Sequence, residues 1–191
     1  MERLIIEELL QWKTSPRRKP LILNGARQVG KTWILKHFGE MHYDNVAYIN
    51  CDKESLAAKL FEDYDTKRII QAIEAITNTQ IVAGKTLIII DEIQEVPRGL
   101  HALKYFAENA PEHHIAVAGS LLGLLLHQGE SFPVGKVNML QMHPMTFLEF
   151  LKAIGEDKMY QLLLNREWSV ANTVHEKIVK HLRMYLYVGG M

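Results

Sequence analysis

Short apolar runs alternate along this chain with stretches in which apolar residues recur at helical spacing. The short runs are mostly apolar rather than alternating, as expected for strands that are buried on both faces. We predict five such strands, over Leu21–Leu23, Val46–Ile49, Thr86–Ile90, Ile115–Ala118 and Val137–Leu140. This order of elements predicts an α/β fold, with a parallel sheet covered by helices on both faces and joined by right-handed connections.

Helical periodicity fills the segments between the strands and dominates the end of the chain. An opening helix is predicted over Glu2–Trp12, and the residues after Pro144 predict only helices, over Met145–Ala153, Asp157–Leu164 and Val174–Tyr187. We therefore expect an α/β domain over residues 1–143, including the opening helix, and a short helical segment over 144–191. Because the chain reaches its last residue directly after a helix, within a turn-like Gly-Gly, we also expect a further domain beyond it.

A glycine-rich loop follows the first strand and leads into helical periodicity. Gly25, Gly30, Lys31 and Thr32 match G-x-x-x-x-G-K-[ST], a loop whose backbone amides surround phosphates. Glycines allow the amides to turn inward as an anion site, and the helix that follows adds the positive end of its dipole. Lys31 can reach the β and γ phosphates, and Thr32 can offer its hydroxyl to Mg²⁺. The predicted nucleotide-binding residues are Gly25, Ala26, Arg27, Gln28, Val29, Gly30, Lys31, Thr32 and Trp33.

Two carboxylates end the third predicted strand. Ligands of open parallel sheets bind at the carboxyl ends of the strands, so Asp91 should emerge at the same edge as the glycine loop and help Thr32 to hold Mg²⁺. Glu92, directly after it, is the candidate base that orients or deprotonates an attacking water. A strand that ends in two acids is often only an exposed edge. The phosphate loop favours the functional interpretation.

Ser120 follows the fourth predicted strand in Ala118-Gly119-Ser120. If that strand lies between the strands that carry the loop and the acids, Ser120 would face the γ phosphate and could hydrogen-bond to it. A helix N-cap for the apolar run that follows is an equally good interpretation, and both can hold together. The candidate catalytic residues are thus Glu92, Lys31 and Ser120.

Four segments together carry a resemblance to a known family: residues 25–32, 88–97, 118–120 and 144–150. In this combination the chain resembles the prokaryotic AAA-type P-loop ATPases that carry a C-terminal domain of unknown function. The resemblance implies a P-loop NTPase three-layer sandwich of the additional-strand type, with ATP and Mg²⁺ as cofactors. It also implies phosphate and metal roles for Lys31 and Thr32, an acidic pair in Asp91 and Glu92, and a sensor role for Ser120.

The chain departs from this family at two points. The family typically has Gly-Arg where this chain has Gly135-Lys136, and a small or hydroxyl residue where Trp33 stands. We assign no arginine finger, since Arg98, Arg166 and Arg183 are each more typical of surface residues.

The amino-acid composition limits which binding partners and which cellular location are expected. Lys+Arg 22 against Asp+Glu 22 leaves no net charge to attract nucleic acid. The basic segment over residues 13–20 is more typical of a solvated loop, but it keeps a role near the nucleotide base or a nucleic acid open. The single cysteine, Cys51, forms no internal disulfide, and no signal peptide begins the chain, so a cytoplasmic location is expected. The apolar stretch 121–126 is far shorter than the roughly 20 residues of a membrane span.

The sequence leaves competing functions. The first is an ATPase that hydrolyses ATP to drive a conformational change in an attached domain or a partner. The alternative is a nucleotide-dependent switch with little turnover. A small-molecule kinase is disfavoured because the Asp-Glu pair suits water as acceptor, and GTP is disfavoured because the Asn-Lys-x-Asp tetrad is missing. AAA-type resemblance also makes self-association an expectation.

Overall fold

The computed structural model describes residues 3–52, 57–119 and 135–190. Contacts divide the chain into two compact units, Glu7–Met142 and a smaller one that joins Met1–Ile6 to His143–Met191. The boundary at residues 143 and 144, drawn from sequence between two domains, stays a prediction.

All five predicted strands are present among the described residues. In chain order the described helices and strands are α1 (Ile5–Thr14), β1 (Leu21–Gly25), α2 (Lys31–His42), β2 (Asn45–Asn50), α3 (Ala57–Leu60), α4 (Thr66–Thr77), β3 (Thr86–Asp91), α5 (Pro97–Asn109), β4 (His114–Ala118), β5 (Asn138–Met142), α6 (Phe147–Ala153), α7 (Asp157–Leu164), α8 (Trp168–Thr173) and α9 (His175–Val188). A short 3-10 turn, Ile93–Glu95, joins β3 to α5.

All five described strands form one parallel sheet in the order β2-β3-β4-β1-β5. The register pairs Leu23 with Ala118 on one side and with Leu140 on the other. Because β4 separates β1 from β3, the sheet has the additional strand expected from the resemblance. The predicted α/β fold is therefore confirmed. One strand, β4, lies between β1, which leads into the glycine loop, and β3, which ends in Asp91.

The core of the larger unit forms where α4 and α5 pack on the sheet. Every residue of β3 and β4 is buried, as strands covered on both faces require. Apolar residues of α4 and α5 join them in one cluster, among them Ile69, Ile73, Leu103 and Phe106. Burial of this apolar area is the main source of stability for such a sheet.

Helix α2 lies very close to β2 through Gly39. A Cβ atom built on Gly39 would lie 2.6 Å from Cγ2 of Val46, a distance that real Cβ contacts do not reach. The same helix buries Ile34, Leu35 and Phe38. The absence of a side chain at Gly39 therefore allows α2, which begins at the phosphate loop, to pack this closely on β2.

The basic segment between α1 and β1 hydrogen-bonds to backbone carbonyls of its own unit. Lys13 donates to the carbonyl of His42, Arg18 donates to Pro111 O at 2.7 Å, and Lys19 donates to Gly135 O at 2.5 Å. Three of the basic side chains that kept nucleic acid open as a partner are thus engaged within the fold.

The smaller unit is helical and is held by a buried ion pair. Arg3 Nε lies 3.0 Å from Glu149 Oε1, and Leu4 N donates to the same oxygen at 2.9 Å. Burial opposes ionisation of Glu149, but hydrogen bonds from Thr146 N, Leu4 N and Arg3 lower the pKa of this carboxyl. Helix α8 was not predicted. In the part of the chain that the structure describes, no helix combines the length and apolar character needed to cross a membrane.

A buried histidine lies where β4 begins. His114 is 6% exposed, and its Nδ1 lies 2.6 Å from the hydroxyl of Tyr43. The ring edge also faces Trp12, at 6.0 Å between ring centroids. Burial lowers the pKa of His114 to about 4, and the charges of Arg18 and Lys13 act in the same direction.

This histidine should make stability depend on pH. The unfolded chain binds a proton at His114 below about pH 6.5, whereas the folded chain does so only near pH 4. The stabilisation from the neutral ring is therefore present above pH 6.5 and is lost as the pH falls from 6.5 to 4. We expect the difference in melting temperature between wild type and His114→Gln, measured by circular dichroism, to shrink over that interval. The exposed His175→Gln variant serves as control; a difference that stays constant for His114→Gln would contradict the prediction.

Candidate functional site

The glycine loop leaves β1 at Gly25 and enters α2 at Lys31. Gly30 has φ 93° and Gln28 has φ 65°, both in the left-handed region. Gly30 has no side chain to cap the first turn of α2, and that turn contains no acidic residue. Amides at an uncapped helix start favour an anion, so the local geometry suits a phosphate group.

Gly25 marks the tightest point of the loop. It pairs with Met142 of β5, and a Cβ atom at Gly25 would lie 2.4 Å from the Met142 carbonyl oxygen. Because that obstacle is backbone, it cannot rotate away as a side chain could. Glycine is therefore required for the loop to leave β1 in this direction.

Lys31 folds back over its own loop. Its Nζ donates to Gly25 O at 2.8 Å and to Ala26 O at 2.7 Å, and the residue is 8% exposed. Burial lowers the pKa of the Lys31 ammonium, against the opposing negative charges of Glu92 and Asp91. A buried cation whose hydrogen-bond acceptors are neutral carbonyls has an unmet preference for a negative charge.

Thr32 and Asp91 meet across the sheet. Thr32 Oγ1 donates to Asp91 Oδ2 at 2.7 Å, although the two residues come from α2 and β3. Asp91 is 3% exposed and also accepts from Glu92 N at 3.1 Å and from the Tyr48 hydroxyl at 3.1 Å. The structure therefore brings together the two residues that the sequence predicts as metal ligands.

Glu92 has an unusual backbone conformation. Its φ of 51° and ψ of 41° lie in the left-handed region, which few residues other than glycine adopt and which often marks functional sites. Gln94 Nε2 donates to Glu92 Oε2 at 2.5 Å. Gln94 Oε1 is buried and accepts no hydrogen bond from the described residues. The candidate base is thus held by an amide two positions further along the chain.

The other predicted loop residues differ in how much of each side chain is exposed to solvent. Ala26, Arg27 and Gln28 are exposed, whereas Val29 is 3% exposed and can offer only its backbone to a ligand. Trp33 is 46% exposed and stacks on His37 at 4.8 Å between ring centroids.

The remaining predicted positions add less to the site. Ser120 lies outside the described residues, so its predicted sensor role stays a prediction. Lys136, at the position where the resembled family has arginine, forms an ion pair with Glu108 at 2.8 Å.

Sequence reasoning missed Tyr48 and Gln94. Tyr48 belongs to β2, and its hydroxyl also accepts from Asn50 Nδ2 at 3.4 Å. Its position in the sequence could have indicated it, because Tyr48 lies near the carboxyl end of a strand that neighbours β3 in the sheet. Gln94 lies two residues after Glu92, a spacing that could have suggested a contact with it.

Comparisons with solved structures show the same fold. The chain aligns to the Walker-type ATPase of Pyrococcus abyssi with a TM-score of 0.51 and 20% identity, covering 80% of this chain and 57% of that one. It aligns to Drosophila ORC bound to DNA with a TM-score of 0.53 and 13% identity, covering 84% and 48%. It aligns to a Thermotoga maritima RuvB mutant with a TM-score of 0.51 and 16% identity, covering 80% of this chain and 47% of that one.

The chain therefore spans about half the length of these solved structures. No curated protein matches it. The model of the AAA domain family matches residues 17–151, which include the whole sheet and the glycine loop. The C-terminal domain implied by the resemblance stays a prediction. The chain belongs to the AAA domain family and has the fold of the P-loop ATPases.

Proposed function

We propose that this chain binds ATP with Mg²⁺ and hydrolyses it to ADP and phosphate, driving a conformational change in an attached domain or a partner. The observation that carries the proposal is the 2.7 Å hydrogen bond between Thr32 and Asp91 beside the buried ammonium of Lys31. Family membership supports it, because AAA domains share the P-loop ATPase fold. Hydrolysis itself is part of the proposal.

The residues present fit a triphosphate with a magnesium ion. The uncapped start of α2 and the ammonium of Lys31 would hold the phosphates. The hydroxyl of Thr32 and the carboxylate of Asp91 are the hard oxygen ligands that Mg²⁺ prefers, and such sites are completed by phosphate oxygens and water. When bound, the ion would neutralise charge that develops on the phosphates.

Glu92 is the proposed general base. It follows Asp91 directly, so its carboxylate emerges at the carboxyl edge of the sheet, where the loop also lies. Its role is to orient the attacking water and to accept a proton from it. The Gln94 amide restrains the carboxylate, which keeps one rotamer available for that task.

The same hydrogen bond favours a second candidate function. A carboxylate oxygen that already accepts from Gln94 Nε2 at 2.5 Å has fewer acceptor positions left for water. A nucleotide-dependent switch with little turnover would use this restraint to keep ATP intact. Turnover by the wild type separates the two functions.

Removing the Lys31 ammonium should weaken ATP binding. Hydrogen bonds to charged groups contribute about 1.5 to 3 kcal/mol, so we expect Lys31→Ala to lower ATP affinity by roughly 10- to 100-fold. Isothermal titration calorimetry with ATP and Mg²⁺ would measure this. Lys85→Ala removes an exposed lysine from the same unit and should leave the affinity unchanged. Equal affinities for wild type and Lys31→Ala would remove the central ligand of the proposal.

Replacing Glu92 should separate hydrolysis from binding. Because the amide cannot accept the proton from water, Glu92→Gln should slow phosphate release by about 10²- to 10⁴-fold while the affinity for ATP persists. The exposed Glu95→Gln variant, in the 3-10 turn that directly follows Glu92, is the matched control. If the wild type turns over ATP and Glu92→Gln does so equally fast, Glu92 is not the base; if the wild type binds ATP without turnover, the switch is favoured.

A further inference from the structure

Tyr48 contacts the proposed metal ligand, although it belongs to none of the sequence motifs. The register of β2 and β3 places Asn50 opposite Asp91 and Tyr48 opposite Ile89. Tyr48 therefore lies two residues short of the acid, a diagonal distance that a long aromatic side chain can span. Its hydroxyl donates to Asp91 Oδ2 at 3.1 Å.

The Tyr48 ring is itself fixed from α2. Lys36 Nζ lies 3.4 Å from the centroid of the ring, in the arrangement of a cation–π contact. Lys36 comes four residues after Thr32, so both residues lie on one face of α2. Helix α2 therefore donates one hydrogen bond to Asp91 through Thr32. Through Lys36 it also holds Tyr48, which donates a second hydrogen bond.

The hydrogen bonds on Asp91 can be counted against its capacity. An ionised carboxylate offers about four acceptor positions, two on each oxygen. Thr32 Oγ1 and the Tyr48 hydroxyl both donate to Oδ2, and Glu92 N donates to Oδ1. These bonds occupy both positions on Oδ2 and one on Oδ1. Asp91 is thereby fixed by β2, by α2 and by the residue that follows it in the chain.

We propose that Tyr48 is a positioning residue for Mg²⁺-dependent ATP binding, acting by holding the Asp91 carboxylate in the orientation that also accepts from Thr32. This inference rests on the proposed function. A tyrosine that only filled space would need its ring but not its hydroxyl.

Tyr48→Phe separates the two roles, since it keeps the ring, its packing and the contact with Lys36. ATP affinity would be measured by calorimetry with a non-hydrolysable analogue, once with Mg²⁺ and once with EDTA. We expect the affinity with Mg²⁺ to fall about tenfold, the size of one hydrogen bond to a charged group, and the affinity in EDTA to change less than about twofold. Tyr64→Phe is the control, because Tyr64 stacks on Tyr105 away from Asp91.

If circular dichroism shows that Tyr48→Phe folds poorly, a second variant tests the same role. Lys36→Met removes the charge over the ring and leaves the hydroxyl in place, so the loss should again appear only with Mg²⁺ and should be smaller, about two- to threefold.

The outcomes separate this inference from the function on which it rests. A wild type that binds no analogue in either condition overturns both. A wild type whose binding depends on Mg²⁺, with a Tyr48→Phe variant that matches it or that loses affinity equally in both conditions, overturns the role of Tyr48 alone.

Discussion

The hydrogen bond between Thr32 and Asp91 is the contact on which the rest of the site depends. β1 and β3 are separated by β4, and neighbouring strands lie about 4.8 Å apart, so the backbones of β1 and β3 do not hydrogen-bond to each other. The first turn of α2 bridges the gap and brings Thr32 within 2.7 Å of the acid. This hydrogen bond thus links the glycine loop and α2 directly to the end of β3.

The bridge requires α2 to begin in one defined place. Gly25 allows the chain to pass the Met142 carbonyl, and Gly30 turns it into the helix without a capping side chain. Lys31 then closes the loop through two backbone carbonyls. A cation buried among carbonyls raises the local positive potential, and the apolar strands around it weaken screening by water. The loop is therefore preorganised for an anion.

Sequence reasoning recovered the features that depend on local pattern. The strands could be predicted because both of their faces are buried, which leaves continuous apolar runs. The loop could be predicted because glycine stands at Gly25, where a side chain would clash, and at Gly30, where the backbone is left-handed. The meeting of Thr32 with Asp91 followed from the rule that strand ends share one edge. Domain family and fold then agreed with the resemblance.

Features that depend on side chains from distant segments could not be predicted in this way. The approach of Tyr48 to Asp91 depends on strand register, which apolar runs do not specify residue by residue. The left-handed backbone of Glu92 has no marker, since glutamate rarely adopts it. The pair formed by Arg3 and Glu149 joins residues 146 positions apart, so no local pattern contains it.

The close packing of Gly39 against Val46 carries a consequence for substitution at this position. Gly39 lies about two turns beyond Thr32, roughly 10 Å along the axis of a stiff helix. Alanine is the most favourable residue for a helix in general, yet here its methyl group would overlap Val46, so either that side chain or α2 would have to shift. A single methyl group at this position would therefore reach the phosphate loop only if the helix, rather than Val46, gives way.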